Sequence, residues 1–195
     1  SDLGSNGFES DNDGSGTTAT PYTKSIFSNV SIFGPMENSS TVINTQFKRA
    51  AHLRRNTQTC IYNSVIAGFP TGLFIDGSTT ETNAAAGDLQ FRNNIIAGCT
   101  TPLSASASFD IQAWFDTPGY GNSILTNSTD INCGYPFTLT SPSFVPQGTS
   151  PLLSGADFTN ANLQGFFTPV NYRGAFGTTD WTTGWTNFDP QNTNY

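Results

Sequence analysis

Charge is scarce in this chain: Asp, Glu, Lys and Arg together make up 11% of its 195 residues. Long solvated helices laced by ion pairs are therefore not expected. Basic residues are scarcer still, 7 against 14 acidic ones, for a formal net charge of -7. That balance sets nucleic acid aside as a partner, because nucleic-acid affinity comes largely from neutralised phosphates. Long apolar runs are also missing. The longest, Ser64 to Ile75, is interrupted by Gly68, Pro70 and Gly72, and no stretch approaches the roughly 20 residues that span a bilayer. Neither an initiator Met nor a signal peptide is present, so Ser1 reads as a cleavage boundary with sequence expected upstream.

The chain has a single histidine, His52, and three cysteines, Cys60, Cys99 and Cys133, without CxxC spacing. A zinc site is not expected on that inventory. The odd count leaves two arrangements open: one bridge, such as Cys99 to Cys133, beside a free thiol, or three buried thiols.

What is present is packing material. Aromatic residues make up 13% of the chain, with 16 Phe, which argues against disorder. Ser, Thr, Asn and Gly dominate the remainder and favour turns and extended backbone over helix. The length suits one domain.

The chain repeats itself. Phe27–Gly34 (FSNVSIFG), Ile61–Gly68 (IYNSVIAG) and Phe91–Gly98 (FRNNIIAG) align without gaps, and Tyr120–Asn127 (YGNSILTN) follows. Their ends at 34, 68, 98 and 127 are 34, 30 and 29 residues apart. A drifting period on a constant β-branched unit means strands stacked coil on coil with loops of variable length, a parallel β-solenoid. Stacked coils bring equivalent positions within about 4.8 Å. Asn29, Asn63, Asn93 and Asn122 are then expected to form a polar column, a structural ladder of side-chain amides, beside an inner apolar stack of Val30, Val65, Ile95 and Ile124.

A looser series, Gly7–Asn12, Ala50–Asn56 and Gly72–Gly77, precedes the first coil by coil and implies a second face. Aligning Asn12 with Asn56 sets Asp11 beside Arg55 and Ser10 beside Arg54, with Asp76 one rung on. Coils are expected over 1–165. Residues 166–195 of the same domain supply a terminal strand and a tail, whose Trp181 and Trp185 cap the open end.

The motifs SNGFESDND, RAAHLRRNT, IYNSVIAGFPTGLFIDG, GTSPLLSGA, YRGAFG and DWTTGWTNFDPQN resemble the C-terminal half of a family of secreted right-handed parallel β-helix proteins of Bacteroidetes. The resemblance covers nearly the whole chain. It implies an all-β, right-handed parallel β-helix with an aromatic C-terminal capping segment, and an extracellular or cell-surface location reached by type IX secretion. The family's separate sorting domain and the upstream half of its helix do not appear here. The Ser1 end is accordingly expected to contact that missing half or another chain. The resemblance brings no catalytic residues with it.

Several residue groups remain as candidates for chemistry. Asp11, Asp13, Ser15 and Gly16 match the opening of an EF-hand calcium loop, but Ala19 and Tyr22 stand at its ninth and twelfth positions, where the twelfth requires a bidentate carboxylate. Calcium at Asp11, Asp13 and Ser15 is one reading and a turn-forming loop the other. Glu9, Asp11, Arg54 and Arg55 form either a cross-strand charge ladder or a polysaccharide lyase-like set, in which an arginine acts as base. Asp76, Glu81, Asp88, Asp110 and Asp116 are scattered over loops, so their separations are not readable. Trp114, Phe115 and Tyr120, together with Trp181 and Trp185 of the tail, are candidate stacking platforms for sugar rings, with capping the other reading of the two tail tryptophans. The expectation that follows is a noncatalytic extracellular β-helix module serving as surface scaffold, adhesion or glycan-binding element toward polysaccharide or other surface material. It requires no cofactor and has no membrane span. A carbohydrate-active enzyme of the lyase type is the alternative.

Overall fold

A computed structural model describes residues 5–106 and 108–194; the Ser1 end, with the contact expected there, lies outside the described residues. Among the described residues eleven short strands are arranged in three parallel sheets. The first coil contributes β1 (Ser5–Ser10), β2 (Ile26–Ser28) and β3 (Ser31–Phe33), and the second β4 (Phe47–Arg54), β5 (Cys60–Tyr62) and β6 (Val65–Ala67). The third gives β7 (Thr71–Asp76), β8 (Phe91–Arg92) and β9 (Ile95–Ala97), and the fourth β10 (Thr101–Ala105) and β11 (Ser123–Leu125). Sheet A runs β1-β4-β7-β10, sheet B β2-β5-β8 and sheet C β3-β6-β9-β11. Each coil donates one strand to each face, except that the fourth gives none to sheet B; this is a parallel β-helix. Two helices, α1 (Ser78–Ala86) and α2 (Ile111–Phe115), lie in the loops of the third and fourth coils.

The repeat forms sheets B and C in the gapless register read from sequence: Phe27 pairs with Ile61 and Ile61 with Phe91. Between the two strands of each unit the chain turns a corner in the left-handed region, where Asn29, Asn63 and Asn93 have φ of 56°, 50° and 57°. Asn tolerates that conformation better than other non-glycine residues.

In the fourth coil the register differs from the expected one. Ser123 pairs with Ile95, so Gly121, with φ 63°, takes the corner and Asn122 falls opposite Asn94. The polar ladder is therefore Ser64, Asn94 and Asn122. Val30 N donates to Ser64 Oγ at 2.9 Å, Ser64 N to Asn94 Oδ1 at 2.8 Å and Asn94 N to Asn122 Oδ1 at 3.0 Å. Each rung's side chain satisfies the backbone N–H of the preceding rung, which the corner leaves without a strand partner.

The solenoid interior holds Leu53, Ile61, Ile66, Leu73, Ile75, Phe91 and Ile96, all at 0% exposure. Of the expected inner stack, Val65 and Ile95 are displaced by one residue, Ile124 stands in the inward row as the partner of Ile96, and Val30 falls two residues before Ile32. Ile32, Ile66 and Ile96 point inward, whereas Val65 and Ile95 point outward and are nevertheless fully buried.

Their cover is the C-terminal segment. The last paired strand ends at Leu125, short of residue 165, and from Ser128 the chain runs as an irregular strap along the outside of the helix. Ile131, Cys133 and Leu152 bury Val65, Ala67, Ile95 and Ala97 on sheet C. Leu163, with Phe158 and Phe167, covers Cys60 and Tyr62 on sheet B. Corner asparagines hold the strap down: Asn63 Oδ1 accepts from Asp157 N at 2.9 Å, and Asn29 Nδ2 donates to Tyr172 O at 2.8 Å.

Residues 166–195 contribute no described strand, in place of the terminal strand expected there. Phe176 stacks on Phe144, which stacks on Phe33 of β3, so the tail lies against the outer side of sheet C. All three cysteines are free thiols, Cys60 and Cys133 buried and Cys99 half-buried, so no bridge forms.

Candidate functional site

With the outer sides of sheets B and C under the strap, sheet A keeps its outer face open. Strand alternation decides what stands there. Phe8, Ala51, Leu73 and Leu103 point inward in register, and so do Leu53 and Ile75. The residues between them therefore point out: Glu9, His52, Phe74 and Ser104 form one row, with Arg54 and Asp76 in the next. No hydrogen bond, ion pair or ring contact joins these side chains to residues beyond 125 among the described residues.

This register differs by one residue from that expected for the looser series, since Ser10 faces Leu53 instead of Arg54. A one-residue slip would turn Phe8 out to solvent and Glu9 into the core, so the apolar side decides. The extra residue is absorbed after β4, where Arg55 and Asn56 adopt φ of 50° and 66°.

The charge cluster does assemble. Arg54 Nε lies 2.7 Å from Asp11 Oδ1 and its Nη2 lies 2.5 Å from Glu9 Oε1, while Arg55 Nη1 reaches Asp11 Oδ2 at 2.9 Å. The bond to Asp11 holds the Arg54 guanidinium above the usual arginine value, so this group stays cationic. His52 is buried by its neighbours on the face, with 5% of its side-chain surface exposed, and its Nε2 is 2.9 Å from Asp76 Oδ2. Desolvation pulls its pKa below the ordinary value, against the opposing bond to Asp76. The imidazole stacks on Phe74 with 5.0 Å between centroids. Arg49 stands over the same ring, its Cζ 4.9 Å from the centroid. Among the described residues no carboxylate pairs with Arg49.

The other sequence candidates fall elsewhere. Asp13 is occupied by its own loop, accepting from Ser15 N at 2.7 Å and from Thr17 Oγ1 at 2.5 Å, and the bond from Thr17 leads in holding its carboxyl below the usual range. Asp11 is bonded to Arg54 and Arg55. Among the described residues no group of three or more His, Cys, Asp or Glu side chains is placed to hold a metal ion.

Trp114, Phe115 and Tyr120 do not form the expected sugar platform. Trp114 is 8% exposed and Phe115 1%, both packed in the helix interior, with Trp114 Nε1 donating to Ala84 O at 3.0 Å. Tyr120 packs edge-on against Trp114 and carries Arg92 over its ring, 4.3 Å from the centroid. The aromatic residue on the open face is Phe74, missed because one Phe in an inward-outward strand reads as core.

The chain is a parallel β-helix in which the strap leaves one polar and aromatic sheet face, that of sheet A, uncovered. More particularly, the sequence profile of the pectate-lyase like beta helix domain matches residues 1–186, and the chain belongs to that family. No curated protein and no solved structure is significantly similar to the chain.

Proposed function

We propose that the protein is a noncatalytic, glycan-binding β-helix module that takes an acidic polysaccharide along the outer face of sheet A, in an extracellular or cell-surface setting. The observation that carries this reading is the state of the face's cations. Arg54 is committed to Glu9 and Asp11, whereas Arg49 sits on the Phe74 ring without a carboxylate of its own among the described residues. A guanidinium beside an aromatic face offers a sugar ring both an apolar stacking surface and a charge partner for a uronate carboxylate. Membership of a pectate-lyase like family supports a carbohydrate ligand; the extracellular setting rests on the sequence resemblance.

The lyase alternative needs a base whose pKa lies near the working pH. Arg54 is shifted the wrong way, and the one imidazole is buried with Nε2 bound to Asp76. Affinity electrophoresis in polygalacturonate and alginate gels tests the proposal. The wild-type chain is expected to be retarded, Arg49→Ala to migrate freely, and no unsaturated product to absorb after long incubation. Turnover abolished by Arg54→Ala or Arg55→Ala would establish the lyase reading instead.

A further inference from the structure

The tail forms one turn in which Thr186 N donates to Thr182 O at 3.3 Å, with Thr182 N bonded to Asp180 Oδ1 at 2.9 Å. A spacing of four residues puts Trp181 and Trp185 on the same side of that turn. Both indole N–H groups are used internally: Trp181 Nε1 donates to Ala175 O at 2.9 Å and Trp185 Nε1 to Trp181 O at 2.6 Å. Those bonds occupy the polar edge of each ring, and because Trp181 is stacked between Phe176 and Trp185, the outer face of Trp185 is what remains as a binding surface.

The rings continue a column that starts on sheet C. Phe33 to Phe144, Phe144 to Phe176, Phe176 to Trp181 and Trp181 to Trp185 stack at 5.5, 5.1, 5.2 and 5.9 Å, with interplanar angles of 23°, 25°, 10° and 25°. Exposure rises toward the end of the column, to 51% at Trp181 and 70% at Trp185. Beside it lies a cleft of about 420 Å³ whose polar lining comes from Asn29, Ser31, Thr182 and Thr186, with no charged side chain.

We propose that this column is a second binding subsite, in which Trp185 presents its free face to the apolar face of a neutral pyranose, as found in a β-1,4-linked glucan. An uncharged lining offers nothing to the carboxylate of an acidic sugar, so charge complementarity selects a neutral ring. The lining polar groups are engaged within the chain, Asn29 Nδ2 donating to Tyr172 O, Ser31 Oγ accepting from Ala175 N, Thr182 Oγ1 donating to Asp180 Oδ1 and Thr186 Oγ1 to Thr182 O, so stacking on the apolar face of the sugar is what the subsite offers. Pre-fixed indoles lose little freedom on binding. The subsite stands apart from sheet A and does not depend on the acidic-glycan reading.

The test is calorimetric titration of the full chain with cellohexaose, beside gel retardation by polygalacturonate. Wild type is expected to bind cellohexaose, Trp185→Ala to lose about tenfold or more in affinity and Trp185→Phe to keep most of it, as one stacking contact predicts. Arg49→Ala is expected to bind cellohexaose as wild type does, and Trp185→Ala to be retarded by polygalacturonate as wild type is. No heat from wild type, undiminished affinity in Trp185→Ala, or loss of cellohexaose binding in Arg49→Ala would each overturn the proposal.

Discussion

Asp11 and Arg54, 43 residues apart in sequence, meet on adjacent coils with Nε 2.7 Å from Oδ1 and Nη2 3.3 Å from Oδ2. Two bonds from one guanidinium to one carboxylate fix the relative position of the first two rungs of sheet A at its outer edge, where alternation of apolar residues no longer applies. With both side chains about a quarter exposed, the pair is expected to contribute about 1 kcal/mol, the upper range for a partly exposed ion pair. Asp11→Ala and Arg54→Met should each lower the urea midpoint, with a coupling term in the double variant. The effect should shrink as salt is raised. A loss that is unchanged at high salt would assign the contribution to packing of the arginine stem instead.

The second prediction separates two neighbouring asparagines. Asn94 is fully buried, accepts from Ser64 N and donates to Ile61 O at 2.9 Å. Asn94→Ala leaves a buried amide and a buried carbonyl without that partner and should cost about 2 to 4 kcal/mol. Asn93 occupies the left-handed corner at φ 57°. Asn93→Gly should therefore be close to neutral, whereas Asn93→Ala should cost about 1 to 2 kcal/mol in backbone strain. Chemical denaturation of the three variants checks the ranking; equal losses at Asn93→Gly and Asn94→Ala would contradict the assignment of corner and ladder.

The same pair shows what the sequence could reveal. The coils were legible because three successive corners carry Asn and the units between them align without gaps. Asn122 was placed one residue off because Gly121 serves the corner equally well, and a corner needs a permissive residue, not a particular one. Facing was harder to read. Val65 and Ile66 are both apolar and both fully buried, since the strap covers the outer side, and a strand buried on two faces shows no alternation. The strap itself has no repeat to betray it. In the candidate site, Glu9, Asp11, Arg54 and Arg55 were legible because opposite charges recur at equivalent places in successive coils. Arg49 with Phe74 was not, because that contact links β4 to β7 along a diagonal, off the register pairs.

A third prediction concerns pH. Burial lowers the pKa of His52 below its ordinary value of 6.5, with further depression from Arg49 and Arg54 and opposition from Asp76. The folded chain then binds fewer protons at this site than the unfolded chain between the folded pKa and 6.5. Stability from this residue is fully present above that window and is lost as pH falls through it. His52→Gln, which keeps a donor for Asp76, should flatten that part of the melting temperature against pH. The groups facing the ring, Glu9, Asp76, Arg49 and Arg54, remain in both proteins, so the difference between the two curves isolates the imidazole. Identical slopes below neutrality would remove His52 as a source of acid sensitivity.

The strap gives the last prediction, read through the thiols it protects. Burial pushes Cys99 up to about 11 and Cys133 up to about 12, and raises Cys60 as well. Because the thiolate is the reactive form, all three should resist a disulfide reagent in the native chain at mildly alkaline pH and react together in urea. Cys60 lies on the outer side of sheet B beneath Leu163, whereas Cys99 packs against the solenoid interior. Leu163→Ala removes the cover from Cys60 alone. Its labelling should accelerate by about tenfold or more, as expected for roughly 1.4 kcal/mol of local opening, while Cys99 labelling stays at the wild-type rate. If both thiols accelerate together, the strap and coils open as one cooperative unit, and the strap is then a structural part of the helix instead of a separable cover on it.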